Sequence, residues 1–168
     1  MRWMWIDRIV HLEPGVRIAA IKNVSMAEDH LHDHFAADHR PQLPVMPAAL
    51  ISEGIAPTAR ILVGHAEGFK HKVVLAKVAV AQLTHDVTPG MTLRYSAHID
   101  RRDDIGASTI GVVEAIDPSR PEAGFTQIGR IELLFSHLDN NISGQEYPEE
   151  NFVFGDSFKM LLRTSGVS

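Results

Sequence analysis

Two features of the sequence could carry chemistry: a histidine-rich segment and a single carboxylate within a long apolar stretch. His30, His32 and His34 alternate with other residues, and His39 follows a few positions later. Imidazole exchanges protons near neutral pH and is also a zinc ligand. Glu53 is the only acidic residue of the apolar stretch that comes next. A carboxyl group enclosed by apolar side chains keeps its proton at neutral pH, which suits a general acid.

Both features also have simpler interpretations. In an extended segment His30, His32 and His34 would share one face and could hold zinc, but a solvated histidine-rich loop fits the same residues. Glu53 could pair with Arg60, two turns along the same helix, or point into solvent. The local pattern therefore leaves acid–base chemistry, metal binding and a purely structural role open.

The apolar stretch Ala48–Val63 predicts one long helix. Pro47 suits a helix start, whereas Pro57 removes a backbone donor and predicts a kink. A helix that is apolar on nearly all sides is expected to be buried. The polar exceptions within it are Ser52, Glu53, Thr58 and Arg60.

Segments rich in β-branched or alternating apolar residues predict strands on both sides of this helix. Because a β-sheet must cover one face, and a single buried helix is the obvious cover, the fold class is α+β, an antiparallel sheet around one long helix. A short final helix is also expected. A shorter apolar piece, Trp5–Val10, precedes the first strand. The predicted strands are Gly15–Asn23, Lys72–Val80, Thr92–Asp100, Ser108–Ile116 and Phe125–Leu138, and the final helix is Asp156–Leu162.

Length and composition narrow the possible functions. A chain of 168 residues is long enough for one domain with a core, and we expect that domain at 1–138, with 139–168 as an extension rather than a second domain. The net charge of −5 and the lack of clustered Lys and Arg argue against a nucleic-acid partner. No uninterrupted apolar run predicts a membrane span or a signal peptide, and there is no cysteine, so a soluble cytoplasmic protein is expected.

A set of motifs in a fixed order resembles the 3-hydroxyacyl-ACP dehydratases of the FabZ and FabA type. The resemblance covers about residues 5–138. It implies a hotdog fold, in which an antiparallel sheet wraps one long helix. The motifs are Trp5-Ile6-Asp7-Arg8-Ile9-Val10, Lys22-Asn23-Val24-Ser25, His34-Phe35, Pro44-Val45-Met46-Pro47, Leu50-Ile51-Ser52-Glu53 and Val87-Thr88-Pro89-Gly90.

The resemblance also implies a catalytic pair, one histidine as base and Glu53 as acid. The family's spacing counted forward from Lys22 reaches His34, whereas the spacing counted back from Glu53 reaches His39. We favour His34, because it keeps the His-Phe pair and leaves the extra residues Ala36–Arg40 in a loop, where they cost little. His39 is the alternative base.

The same resemblance implies where the substrate binds. Phe35, Val45, Met46 and Pro47 would contact it, and the backbone N–H of Ala48 would donate to the thioester carbonyl, as free amides at a helix start can do. No metal or other cofactor is implied. In the family the two catalytic residues of one site come from different subunits, so a homodimer or a higher homo-oligomer is expected.

The implied reaction is dehydration of a (3R)-hydroxyacyl thioester to a trans-2-enoyl thioester in fatty acid or related lipid biosynthesis. The acyl group would be carried on acyl carrier protein or coenzyme A. Two departures from the family bear on the substrate: Pro57 replaces a glutamine, and the segment 82–86 lacks the basic residues that dock the carrier. A hotdog acyl thioesterase, a non-catalytic acyl-thioester-binding protein and a metal-binding protein are the alternatives.

Overall fold

A computed structural model describes residues 4–32, 43–138 and 151–167. Within these ranges six strands form one sheet around a long helix. The strands are β1 (Arg8–Glu13), β2 (Arg17–Asn23), β3 (Val73–Leu83), β4 (Thr92–Arg102), β5 (Gly106–Ile116) and β6 (Thr126–His137). The helices are α1 (Asp29–His32), α2 (Ala48–Ala66) and α3 (Asp156–Ser165), with short 3-10 turns at Pro121–Ala123 and Phe152–Phe154.

The sheet has the strand order β1-β2-β4-β5-β6-β3, and every neighbouring pair is antiparallel. Register shifts interrupt four of these five pairings, all except β2 with β4. Such irregularities bend and twist a sheet. The resulting concave face wraps α2, which contacts β2 to β6. This arrangement confirms the predicted α+β class.

Helix α2 packs against the sheet at unusually short range because glycines occur on both sides of the contact. A Cβ atom on Gly54 would lie 2.3 Å from Cζ of Tyr95 in β4. A Cβ atom on Gly111 in β5 would lie 2.6 Å from Cγ1 of Ile55. Both distances are too short for any side chain larger than hydrogen. Glycine at these two positions therefore lets the helix and the sheet interdigitate.

The predicted elements are found, with two informative shifts in their bounds. Helix α2 continues through Pro57 and ends three residues beyond the predicted Val63, where the Glu67 N–H donates to Gly64 O. The apolar piece Trp5–Val10 only partly overlaps a strand, because β1 begins at Arg8. Trp5 and Ile6 are 7% and 3% exposed and belong to the core ahead of the strand, whereas most of β1 is exposed at the sheet edge. The apolar residues Trp5 and Ile6 thus indicated a part of the core and not a part of the strand.

Among the described residues, no helix is both long enough and apolar enough to span a membrane.

The Tyr95 phenol is buried beneath α2. It is 0% exposed, and its oxygen has no hydrogen-bond partner among the described residues. Burial, together with the negative charges of Asp7 and Glu28, raises the pKa of Tyr95 far above its ordinary value. Folding therefore favours the protonated form of this hydroxyl.

A pH-dependent loss of stability follows. The unfolded chain releases the Tyr95 proton near pH ~10, whereas the folded protein retains it, so the free energy of unfolding should fall above that pH by up to ~1.4 kcal/mol per pH unit for this group. Urea unfolding of the wild type and of Tyr95→Phe across this range measures the contribution. In Tyr95→Phe the free energy of unfolding should fall less steeply with pH above that value. An equally steep fall in the two proteins would contradict the assignment.

Candidate active site

Glu53 lies on the second turn of α2, on the face that points away from the sheet. Its side chain is exposed in the single chain. The expectation that apolar side chains enclose this carboxyl group is therefore wrong for the single chain. The first turns of α2 bury Ile51 and Ile55, while Ala48 and Ala49 on the other side are exposed. The sequence did not separate the buried side of these turns from the exposed side, because alanine is compatible with both environments.

The Glu53 side chain lines a cavity of about 980 Å³ in volume. Helix α2 contributes Leu50, Pro57 and Arg60 to the same wall. No ion pair joins Glu53 to Arg60, although both lie in the described part of the chain. A carboxyl group therefore faces a space of the size that small ligands occupy, bordered largely by apolar side chains.

The segment before α2 is fixed against the end of the sheet. The Met46 N–H donates to Val87 O (2.8 Å), and the Val87 side chain is fully buried. The turn that follows needs a glycine, because Gly90 has φ +95°. The Pro44–Pro47 and Val87–Gly90 motifs are thus one structural unit, although residues 48–86 separate them in the sequence.

The N-terminus of α2 leaves backbone amides available. Pro47 is the N-cap residue, and no side chain in the described part of the chain caps the helix. Pro47 O accepts from the N–H groups of Leu50 (2.9 Å) and Ile51 (3.1 Å). The amides of Ala48 and Ala49 come before this first helical bond, and they carry the positive end of the helix dipole. An oxygen that gains negative charge would be stabilised there.

A second cavity, of about 490 Å³, opens at this helix start. It brings together the predicted substrate residues Val45, Met46, Pro47 and Ala48. Thr84 and His85 form its opposite wall, with 2.8 Å between Thr84 Oγ1 and His85 Nδ1. From the sequence, residues 82–86 were considered only as a region that docks the carrier. Their position directly before the Val87–Gly90 turn is the sequence signal that could have linked them to the helix start.

The histidine segment is only partly described. His34, Phe35 and His39 lie outside the described residues, so their roles stay predictions. The extended interpretation of His30 and His32 is wrong, because Asp29–His32 forms the helical turn α1. The His30 and Trp5 rings form a T-shaped contact, with 5.3 Å between ring centroids. Among the described residues, no group of three or more metal-binding side chains occurs.

Two of the recognised motifs bind one another. Asp7 Oδ2 accepts from the backbone N–H (2.7 Å) and the side-chain amide (3.1 Å) of Asn23. Asn23 Oδ1 in turn accepts from the Thr92 hydroxyl (2.9 Å). These contacts tie β1, β2 and β4 together at one end of the sheet. The motif residues therefore have a structural role.

An ion pair ties the end of β2 to the turn that leads into the histidine segment. Lys22, 7% exposed, donates to Glu28 Oε1 (2.6 Å) and to Asn23 O (2.8 Å). The same carboxylate accepts from the Ser25 N–H (3.3 Å) and lies 3.4 Å from His30 Nε2. Glu28 thus fixes the path of the backbone into α1.

Comparison with solved structures identifies the fold class as the hotdog fold. The ApeI:P dehydratase heterocomplex from Xenorhabdus doucetiae matches with a TM-score of 0.57 and 14% identity, over 81% of this chain and 84% of that one. A thioesterase family protein from Silicibacter pomeroyi matches with a TM-score of 0.60 and 12% identity, over 78% and 83%. At these identities the likeness concerns the fold alone. The predicted hotdog fold is confirmed.

The chain belongs to the FabA-like family: the FabA-like domain matches residues 2–116. A 3-hydroxyacyl-[acyl-carrier-protein] dehydratase FabZ from Ruminiclostridium cellulolyticum is 34% identical over 114 residues, which are 67% of this chain and 72% of that protein. A FabZ protein from Clostridium kluyveri is 34% identical, over 58% of this chain and 65% of that protein. One from Listeria monocytogenes is 35% identical, over 59% and 66%. The family resemblance seen in the motifs is confirmed.

The Lys22–Glu28 pair should contribute measurably to stability. Glu28→Ala leaves a buried ammonium group with only one backbone acceptor, and we expect a loss of roughly 1–3 kcal/mol in the free energy of unfolding. The matched control is Glu13→Ala, which breaks the Glu13–Arg17 pair, whose side chains are 47% and 63% exposed. That change should cost less than about 1 kcal/mol. Chemical denaturation measures both, and equal losses would show that burial of the pair is unimportant.

Proposed function

We propose that this protein is a hydro-lyase that converts (3R)-hydroxyacyl thioesters to trans-2-enoyl thioesters and water. The observation that carries the proposal is the position of Glu53, which lines a large cavity on the outer face of α2 in a chain of the FabA-like family. The names of its similar proteins, 3-hydroxyacyl-[acyl-carrier-protein] dehydratase, supply the substrate class. We propose acyl carrier protein or coenzyme A as the carrier. The cytoplasmic location stays a prediction.

The reaction needs one base, one acid and a group that stabilises negative charge. In the proposed mechanism a neutral imidazole, His34 or alternatively His39, removes a proton from C2 of the acyl chain. The electron pair moves onto the thioester carbonyl oxygen, where the Ala48 N–H and the α2 dipole stabilise it. As the C2–C3 double bond forms, the C3–O bond breaks and protonated Glu53 donates to the leaving hydroxyl, giving water. A proton passed from the histidine back to Glu53 completes the cycle.

A homodimer is part of the proposal. β3 is an edge strand of eleven residues, and among the described strands it pairs with β6 alone. Exposed edge strands readily pair with another chain. Ala48, Ala49 and Glu53 are exposed on α2, and a second copy of this chain that covers this face would shield Glu53 from water. We propose that each site then combines Glu53 of one subunit with the histidine of its partner.

Substitution of the proposed catalytic residues tests the reaction directly. Glu53→Gln and the variant of the true base, His34→Ala or His39→Ala, should each lower kcat by roughly 100-fold to 10,000-fold, since a general acid or base contributes that much. Formation of the conjugated enoyl thioester from a 3-hydroxyacyl thioester is followed by its ultraviolet absorbance.

The controls for this assay are Glu122→Gln and His98→Ala, since both residues are exposed and neither lines either cavity described above. Both control variants should keep wild-type rates. Full activity of Glu53→Gln would refute the proposed acid, and release of free thiol in place of enoyl product would favour a thioesterase. Loss of activity in His39→Ala but not in His34→Ala would move the base to His39.

Mixing two inactive variants tests whether the site is shared between subunits. Mixed dimers of the histidine variant and Glu53→Gln contain one site with both residues intact. At random pairing half of the dimers are mixed, so activity should return to about a quarter of the wild-type value. The measurement requires subunit exchange or co-expression, with each variant alone as the inactive control. If activity stays at the level of the single variants although mixed dimers are present, both residues of a site come from one subunit.

A further inference from the structure

The Glu53 cavity is closed on one side by a part of the chain beyond the family match, which ends at residue 116. Residues 151–159 form this wall, opposite Leu50, Glu53, Pro57 and Arg60 of α2. The candidate catalytic carboxyl group and the C-terminal segment therefore border one continuous space.

The start of this segment is fixed by Asn151. Its side-chain amide donates to the carbonyl oxygens of Phe69 (2.9 Å) and His71 (3.0 Å), in the loop that follows α2. Its Oδ1 accepts from the Val153 N–H (3.2 Å) and so caps the 3-10 turn Phe152–Phe154. Two backbone carbonyls thus hold the position at which the wall begins.

The middle of the segment is held by an aromatic contact with the end of α2. Phe154 is 6% exposed, and a Cβ atom on Gly64 would lie only 2.3 Å from Cζ of Phe154. The ring also packs edge-on against Phe69 and Phe158, at centroid distances of 4.9 and 5.6 Å. Glycine at position 64 makes this contact possible.

The following helix α3 is attached to the edge of the sheet. The Ile9 N–H donates to the Ser165 hydroxyl (2.9 Å), and α3 packs against β1. The side chains of Phe158 and Leu161 are 6% exposed and belong to the same hydrophobic core as α2. With attachments at its start, middle and end, the segment is a fixed wall of the cavity.

Phe152 differs from its neighbours in this wall. Val153 and Phe154 are each 6% exposed, whereas Phe152 is 38% exposed and lines the Glu53 cavity. An aromatic ring presented to a cavity offers an apolar surface to a hydrocarbon chain and also limits the length of chain that fits. The fixed backbone on both sides prevents the ring from moving away with its segment.

We infer that residues 151–159 form the distal wall of the acyl-binding pocket and that the Phe152 side chain limits the length of acyl chain accepted. The inference rests on the proposed function, since it assigns the Glu53 cavity to the acyl chain of the thioester. Each further methylene group that the pocket can bury strengthens binding roughly fourfold. Removal of the ring should therefore favour longer chains selectively.

The experiment compares kcat/KM for 3-hydroxyacyl thioesters of increasing chain length in the wild type and Phe152→Ala. The ratio of long-chain to short-chain kcat/KM should rise at least about tenfold in the variant, a typical effect of changing a hydrophobic pocket by one or a few methylene groups. Phe152→Leu should give a smaller shift in the same direction. Met160→Ala is the matched control, because Met160 is 57% exposed on α3 and does not line the cavity.

A binding measurement keeps the inference separate from the proposed reaction. Calorimetry with saturated acyl thioesters, which cannot be dehydrated, measures chain-length dependence whether or not the protein turns over. A larger gain in affinity per methylene in Phe152→Ala than in the wild type supports the inference. An unchanged chain-length profile in a folded Phe152→Ala protein overturns it, even if Glu53→Gln abolishes dehydration. Failure of the wild-type protein to form enoyl thioester would instead refute the proposed function.

Discussion

The packing of α2 into the concave face of the sheet is the constraint on which the rest of the structure depends. Ile51, Ile55, Ile61 and Leu62 are at most 2% exposed, and burial of side chains of this size stabilises the fold by about 1.5–3 kcal/mol each. Gly54 and Gly111 allow the helix and sheet to approach closely enough for this burial. Because the sheet occupies one face of α2, every polar residue of the helix that is to meet a substrate must lie on the other face.

The two ends of α2 consequently serve different purposes. At the N-terminus the fixed segment before the helix leaves amides and Glu53 on an accessible face. At the C-terminus Gly64 allows Phe154 to pack closely, and this contact brings the C-terminal segment over the helix. The cavity lies between these two regions. Its apolar wall and its carboxyl group therefore come from parts of the chain about a hundred residues apart in the sequence.

The most polar motifs have mainly structural roles in the described chain. Asp7 and Asn23 join three strands, and Lys22 and Glu28 fix the path into α1. A buried ammonium group is tolerated only with a charged partner and further acceptors, which Glu28 and Asn23 O provide. Such networks specify the backbone path immediately before the histidine segment.

The sequence by itself determined the fold class, the helix at α2, most of the strand segments along the chain and the family, because apolar periodicity and ordered motifs report directly on local structure and ancestry. It also drew attention to Glu53, although the catalytic roles of Glu53, His34 and His39 stay predictions. Only the tertiary structure decided that Glu53 lies on the open face of α2 and that residues 151–159 line its cavity. The exposure of a side chain on α2 depends on which face of the helix the sheet covers, and its long-range neighbours depend on where the chain returns to the helix. The order of residue types along the sequence specifies neither.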